Sequence, residues 1–328
     1  FGRLWFRLHR PRPVLGPPPG TRGRPGGWVR PAGHATTLVG PDKFRLLNEV
    51  RSLADVGWDS PDVPKLWRYN MHYFDDLTAA DATRRTAWHR ALIDRWIAEN
   101  PAGRGTGWEP YPTSLRIVNW IKWTLAGNSL TERQGASQVR WLARRLEFHL
   151  LGNHLFANAK ALVFAGSYFE GEEADGWRRR GLEILARELP EQVLPDGAQF
   201  ELSPMYHALA LEDLLDVVNV SRATATDLHP SWDEKIPAML TWLAAMVHPD
   251  GEISFFNDAA QGIAPPLTEL RRYARELGYH PQPLPLDSGC LALKHSGYVR
   301  LESQGAVALL DVGRIGPDYL PGHAHADT

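Results

Sequence analysis

At 328 residues, with 36 basic against 38 acidic side chains and a formal net charge of −2, the chain can bury a substantial core but has no general electrostatic grip on nucleic acid or an anionic membrane. Its single cysteine, Cys290, excludes an intrachain disulfide and a cysteine-based zinc cluster, and no apolar run approaches the roughly 18 residues of a membrane span. The chain opens at Phe1; a signal peptide upstream of it implies a periplasmic or secreted protein and the lack of one a cytoplasmic protein, so localisation is open.

Residues 1–42 carry Pro-Gly clusters around Pro17 to Gly20 and Pro25 to Gly27 without a sustained apolar period, and read as an extended arm or linker. Beyond them the period turns helical. Trp88, Leu92, Ile93, Trp96 and Ile97 fall on one helical stripe, and further helices are predicted near 113–126, 132–151, 154–169, 177–189, 204–221, 231–247 and 266–277. The stretch from Leu115 to Leu125 is apolar nearly all round, as in a helix enclosed by neighbours. After Pro281, Pro283 and Pro285 the pattern alternates, so that Cys290–Leu293, Tyr298–Leu301 and Ala306–Val312 read as strands. The expected organisation is an arm over 1–42, a mainly α domain of paired helices over 43–285, and over 286–328 the start of an antiparallel β-domain that reads as truncated. The thirteen tryptophans serve cores first, and exposed aromatic faces could stack on sugar rings.

Four segments gather polar residues among aromatics where a loop enters a helix: Trp67 to Phe74, Trp108 to Arg116, Gly152 to Asn158 and Phe200 to His207. In a ring of paired helices such entrances converge on one cleft. Asn153 and His154 read either as a helix cap or as donors that neutralise a substrate carboxylate, making the proton on the adjacent carbon removable. Tyr206 follows the helix-start signal Ser203-Pro204 and reads either as structural or as an acid–base phenol whose pKa is lowered by positive charge from His207 or Arg116. Arg68, Tyr69, Glu109, Tyr111, Arg116, His207 and Asn257 are expected to line the cleft and bind sugar or carboxylate. For Arg116 the structural alternative is an ion pair with Glu109. His323, His325 and Asp327 alternate at period two on one strand face, which suits either a metal or a polar strand edge.

Gly152-Asn-His, Ser203-Pro-Met-Tyr-His and Gly322-His-Ala-His-Ala-Asp, with Arg116 four residues before Trp120, together resemble the heparinase II/III-like polysaccharide lyases, which include heparin, heparan sulfate and alginate lyases. The resemblance runs from about residue 60 to the end. It implies an incomplete (α/α) toroid of paired helices followed by an antiparallel β-domain, with substrate between them, and cleavage of uronic-acid-containing glycans by β-elimination. Carried to this sequence, it makes Asn153 or His154 the carboxylate neutraliser, Tyr206 the base and acid, and His323 a second base. His325 matches a position that in some members ligates a structural zinc, whose other ligands would lie beyond Thr328. The chemistry itself requires no cofactor. The implied partner is an acidic polysaccharide, with no nucleic acid and no membrane span in this chain; the polymer, its C5 epimer and the oligomeric state are open.

Two other readings compete. One is a glycoside hydrolase on a similar helical toroid, using a pair among Glu109, Asp196, Glu201 and Asp258. The other is a non-catalytic glycan-binding or assembly module, for which the aromatic and arginine side chains suffice.

Overall fold

The structure, a computed structural model, describes residues 4, 8–9, 11–23, 27–130, 132–226, 228, 231–280, 282–314 and 316. The chain divides into two compact units, one of Phe1–Trp28 and Gly33–Leu185, the other of Val29–Ala32 and Ala186–Thr328.

The first unit contains a three-stranded antiparallel meander of β1 (Leu38–Gly40), β2 (Lys43–Leu46) and β3 (Glu49–Ser52), in that order. In β2, Phe44 and Leu46 are buried while Lys43 and Arg45 face out, the alternation of a half-buried strand. Leu47 and Asn48 both take left-handed conformations in the turn to β3, as a two-residue hairpin requires. The sequence reading gave this stretch no strands. Its anchor lies far along the chain: Asp76 accepts the Thr37 and Leu38 N–H groups at 2.8 and 2.9 Å, and also binds Arg85 and His89. Although burial opposes ionisation, the bonds from His89 and Arg85 hold the Asp76 carboxyl below its usual range.

Helices follow: α1 (Leu53–Val56), capped by the Ser52 hydroxyl, α2 (Lys65–Met71), α3 (Thr86–Glu99), α4 (Pro110–Leu125), α5 (Glu132–Leu142), α6 (Gly152–Tyr168) and α7 (Glu172–Gln192). From Ala186 onward α7 belongs to the second unit. Pro110 supplies a preset first turn for α4, which packs on α5 and α6 and is buried along almost its whole length. A side chain in place of Gly166 would run into α7, and one in place of Gly181 into α6, so glycine at both positions allows the close approach. Trp58, Trp67, Trp96, Trp108, Trp120 and Trp141 fill the core. Tryptophan here serves packing, each indole burying a large apolar area.

In the second unit α8 (Pro204–Ala223) packs against α9 (Ser231–Ala245) and α10 (Leu267–Glu276). Ser203 at the N-cap and Pro204 at the first position start α8, as the sequence predicts. Tyr273 of α10 donates to Asp216 at 3.0 Å and accepts from Asn219 at 2.9 Å, satisfying buried polar groups on α8. The chain then forms an antiparallel meander of β4 (Cys290–Leu293), β5 (Tyr298–Ser303) and β6 (Ala306–Asp311). Leu291, Leu293 and Tyr298 pack with Trp242 and Met246 of the α9 region. The mainly α class with antiparallel strands after Pro285 is therefore the class the sequence pattern predicts. Among the described residues no helix is long and apolar enough to cross a membrane.

Candidate functional site

In the first unit the site begins at the entrance of α6. Leu151 (φ 59°, ψ −152°) and Gly152 (φ 52°) are both left-handed, a conformation that strains leucine and persists only where its surroundings enforce it. The cap position falls on Leu151, so Asn153 does not cap the helix. It sits in the first turn, and its side-chain amide has no hydrogen-bond partner among the described residues. Backbone N–H groups and the helix dipole at this end favour an anion.

His154 comes next. Its Nδ1 is buried 3.2 Å from Glu147 Oε1, outside hydrogen-bond alignment, while the side chain as a whole is 32% exposed. The Tyr111 ring lies over the imidazole, with centroids 4.5 Å apart. Glu147 is itself buried. Its Oε2 accepts from Asn158 Nδ2 at 3.1 Å, and its backbone N–H donates to Asn158 Oδ1 at 2.8 Å. The same Asn158 amide donates to Ser114 Oγ at 3.0 Å.

Arg68, Tyr69 and Glu109 form a second group in this unit. Tyr69 donates a short hydrogen bond to Glu109, and Lys65 reaches the same carboxylate oxygen at 2.9 Å while lying over the Tyr69 ring. Burial first, then Glu109, pushes the Tyr69 phenol above its ordinary value, and the Glu147 charge adds to this. Arg68 pairs with Asp59 at 2.7 Å. Burial disfavours the Asp59 carboxylate, but hydrogen bonds from Thr106 and Arg68 hold it below its usual range.

Arg116 departs from its expected role. Its guanidinium is fully buried, donating to Gln138 Oε1 at 2.8 Å, the His72 carbonyl at 3.3 Å and Thr113 at 3.4 Å, and stacking 3.8 Å from the Trp96 ring centroid. Glu109 is engaged by Lys65 and Tyr69 instead, so the anticipated Arg116–Glu109 pair is not formed either. A side chain sealed among Trp96, Gln138 and His72 organises the core and presents nothing to a glycan.

In the second unit the candidate residues are Tyr206, His207 and Asn257. Tyr206 lies in the first turn of α8, half-buried, beside a backbone held left-handed at Leu202 (φ 61°), Asn257 (φ 51°) and Asp258 (φ 65°). Its phenol is pushed up to about 12, by burial first and then by the charges of Asp258 and Glu201. This reverses the expected lowering. His207 supplies no positive charge, because its Nδ1 accepts the Gln199 N–H at 3.0 Å and its Nε2 donates to the Met239 carbonyl at 2.9 Å in full burial, which holds it down to about 4. Its position is structural, contrary to the expected substrate contact. Asn257 is 8% exposed and spends its amide on the Leu202 carbonyl at 3.2 Å and Tyr298 Oη at 2.8 Å, so it too holds the loop rather than facing a ligand.

Of the carboxylates considered for hydrolysis, Asp196 is committed to the chain turn before β5, accepting from the His295 and Ser296 N–H groups and the Ser296 hydroxyl at 2.8 to 3.0 Å. His323, His325 and Asp327 lie outside the described residues. Among the described residues no three His, Cys, Asp or Glu side chains are grouped to hold a metal ion. Sequence reasoning missed Glu147 and Ser114, and passed over Asn158. The available signal was spacing: Asn158 follows His154 by four residues, which puts both on one face of α6.

The family description Heparinase II/III N-terminus matches residues 71–282, and Heparinase II/III-like, C-terminal matches residues 287–328. A heparin-sulfate lyase of Bacteroides stercoris is 34% identical over 111 residues, which is 33% of this chain and 17% of that protein; one of Pedobacter heparinus is 32% identical over the same length. In structure, a heparan sulfate lyase from Pedobacter heparinus matches with TM-score 0.52 at 20% identity, over 86% of this chain and 50% of its own. A heparinase III matches with TM-score 0.59 at 17% identity, over 84% of this chain and 49% of its own. The chain thus spans about half the length of these solved relatives, and at such identities the likeness shows the fold. With both family descriptions matched in order along most of its length, the chain belongs to the heparinase II/III-like family.

Proposed function

We propose that the full-length protein is a polysaccharide lyase that cleaves uronic-acid-containing glycans of the heparan sulfate type by β-elimination. The observation that carries this reading is the opening of α6, where Asn153, whose amide has no hydrogen-bond partner among the described residues, is followed by the partly exposed His154 on a strained turn. Donors so placed suit a uronate carboxylate, whose neutralisation stabilises the enolate formed when the C5 proton leaves. Tyr206 is the proposed base and acid: as phenolate it takes the C5 proton, the electron pair forms the C4–C5 double bond, the C4–O bond breaks, and the phenol returns its proton to the leaving oxygen. A phenol raised to about 12 is protonated at neutral pH, ready as an acid, and its minor phenolate is a strong base for a weak carbon acid. His323 serves as the second base where proton and leaving group lie on opposite faces. The chemistry uses no cofactor.

The test is incubation of the full-length protein with heparan sulfate and other uronate polymers, following the ultraviolet absorbance of the conjugated product. Absorbance should rise with chain cleavage and be lost in Tyr206→Phe. New reducing ends without that absorbance would show hydrolysis and sink the elimination mechanism.

A further inference from the structure

We infer that Glu147 is a positioning residue that acts through His154, orienting the imidazole and balancing its charge when it donates to an anion. The inference rests on the lyase reading only for its kinetic consequence. His154 and Asn158 share one face of α6, and Glu147, in the turn that follows α5, divides its carboxylate between them: Oε1 lies 3.2 Å from His154 Nδ1 and Oε2 accepts from Asn158 at 3.1 Å. Three further contacts hold the Glu147 backbone and its partner Asn158 in place. The Glu147 N–H donates to Asn158 Oδ1 at 2.8 Å, Asn158 donates to Ser114 Oγ at 3.0 Å, and Ser114 donates to the Pro110 carbonyl at 2.9 Å. His154 lies within ion-pair distance of this buried carboxylate.

The imidazole is therefore oriented by its two edges. Nδ1 is buried against Glu147, which leaves Nε2 as the nitrogen for a ligand in a side chain that is 32% exposed as a whole. An imidazole that donates through Nε2 to a substrate carboxylate while its Nδ1 faces a carboxylate carries a proton on each nitrogen, and a small ring rotation brings Nδ1–H into line with Oε1. Glu147 then accepts the second hydrogen bond and supplies the negative charge that offsets the imidazolium. The Tyr111 ring, tilted 37° to the imidazole with centroids 4.5 Å apart, limits other rotations.

Two measurements on the full-length protein test this. In a double-mutant cycle on heparan sulfate cleavage, Glu147→Gln should lower kcat by about tenfold or more, and adding it to His154→Ala should cause no further loss. An additive loss would mean that Glu147 acts independently of His154 and would overturn the inference. The second readout is the imidazole nitrogen spectrum of histidine-labelled protein, with His154 assigned by His154→Gln. Wild type should show a protonated Nδ1 whose resonance moves in Glu147→Gln; an unprotonated Nδ1 in wild type overturns the proposal even if the variant fails to fold. The spectrum needs no turnover. If the wild type proves inactive on every uronate polymer, the lyase reading fails while the nitrogen resonances still decide the Glu147–His154 relationship.

Discussion

Asn257 Nδ2 donates to Tyr298 Oη at 2.8 Å, tying a left-handed loop residue to the first position of strand β5. Tyr298 in turn donates to the Leu202 carbonyl at 2.8 Å, which Asn257 also reaches. Asn257→Ala removes donors from two buried acceptors and places alanine at φ 51°, where asparagine is better tolerated. A stability loss of about 1–3 kcal/mol is expected, measured by urea denaturation, with KM for the glycan unaltered in the folded enzyme. A selective rise in KM at unchanged stability would restore the substrate role read from the sequence.

Arg116 leads to a similar contrast. Replacing it with Met leaves Gln138 Oε1 and the His72 carbonyl without their donor and removes the stacking on Trp96. The expected cost is on the order of 2–4 kcal/mol. Lys does not rescue it, because an ammonium cannot reproduce the planar fork or its stacking. Arg116→Lys as stable as wild type in thermal unfolding would refute this packing role.

Much of the fold was legible because burial leaves a period in the sequence. Ser203-Pro204 marks the start of α8, and the nearly uniform apolarity from Leu115 to Leu125 marks a helix buried almost throughout. The same uniformity was the signal against Arg116 as a ligand, since a helix enclosed all round has no wet face for it. What stayed illegible depends on distant partners. Strands as short as β1 to β3 offer too few alternations to register, and Asp76 is what pins their edge. The α5 pattern ran on to 151, but the helix ends at Leu142 and Glu147 turns in to exchange hydrogen bonds with Asn158. Of the candidate site, the placing of Asn153 and His154 at a helix entrance could be read from loop-to-helix spacing; the Glu147 beside His154 could not, because nothing local distinguishes it from any surface glutamate.

Acid should weaken the fold through two buried histidines. His72, between the Trp58 carbonyl and Trp96 Nε1–H, is held down to about 3, and His207 to about 4, burial being the chief cause in each. Their ordinary value is about 6.5, so between roughly pH 6.5 and 4 the unfolded chain binds protons that the folded chain refuses. Stability therefore falls as pH drops through that window, by up to about 1.4 kcal/mol per pH unit for each histidine. His207→Gln should flatten the slope by one proton in urea titrations at several pH values. An unchanged slope would show that His207 is protonated in the fold.

The last prediction separates elimination from hydrolysis at a single carboxylate. Asp258 raises the Tyr206 phenol by its negative charge and sits at φ 65°, a backbone that asparagine also accepts. Asp258→Asn therefore removes the charge while keeping the turn. If the phenolate of Tyr206 is the base, kcat/KM rises with pH toward the phenol's titration, and losing a neighbouring anion moves that rise to lower pH because the phenolate is then easier to form. At a fixed neutral pH the phenolate fraction, and with it the rate, should increase unless the weaker base offsets the gain. If Asp258 were instead a hydrolytic acid or base, the same substitution would remove the group that transfers the proton, and activity should drop by a factor of roughly 10² or more. The pH profile of kcat/KM for wild type and Asp258→Asn distinguishes them: a displaced alkaline rise supports Tyr206 as the base, and a collapse at every pH gives the site to Asp258.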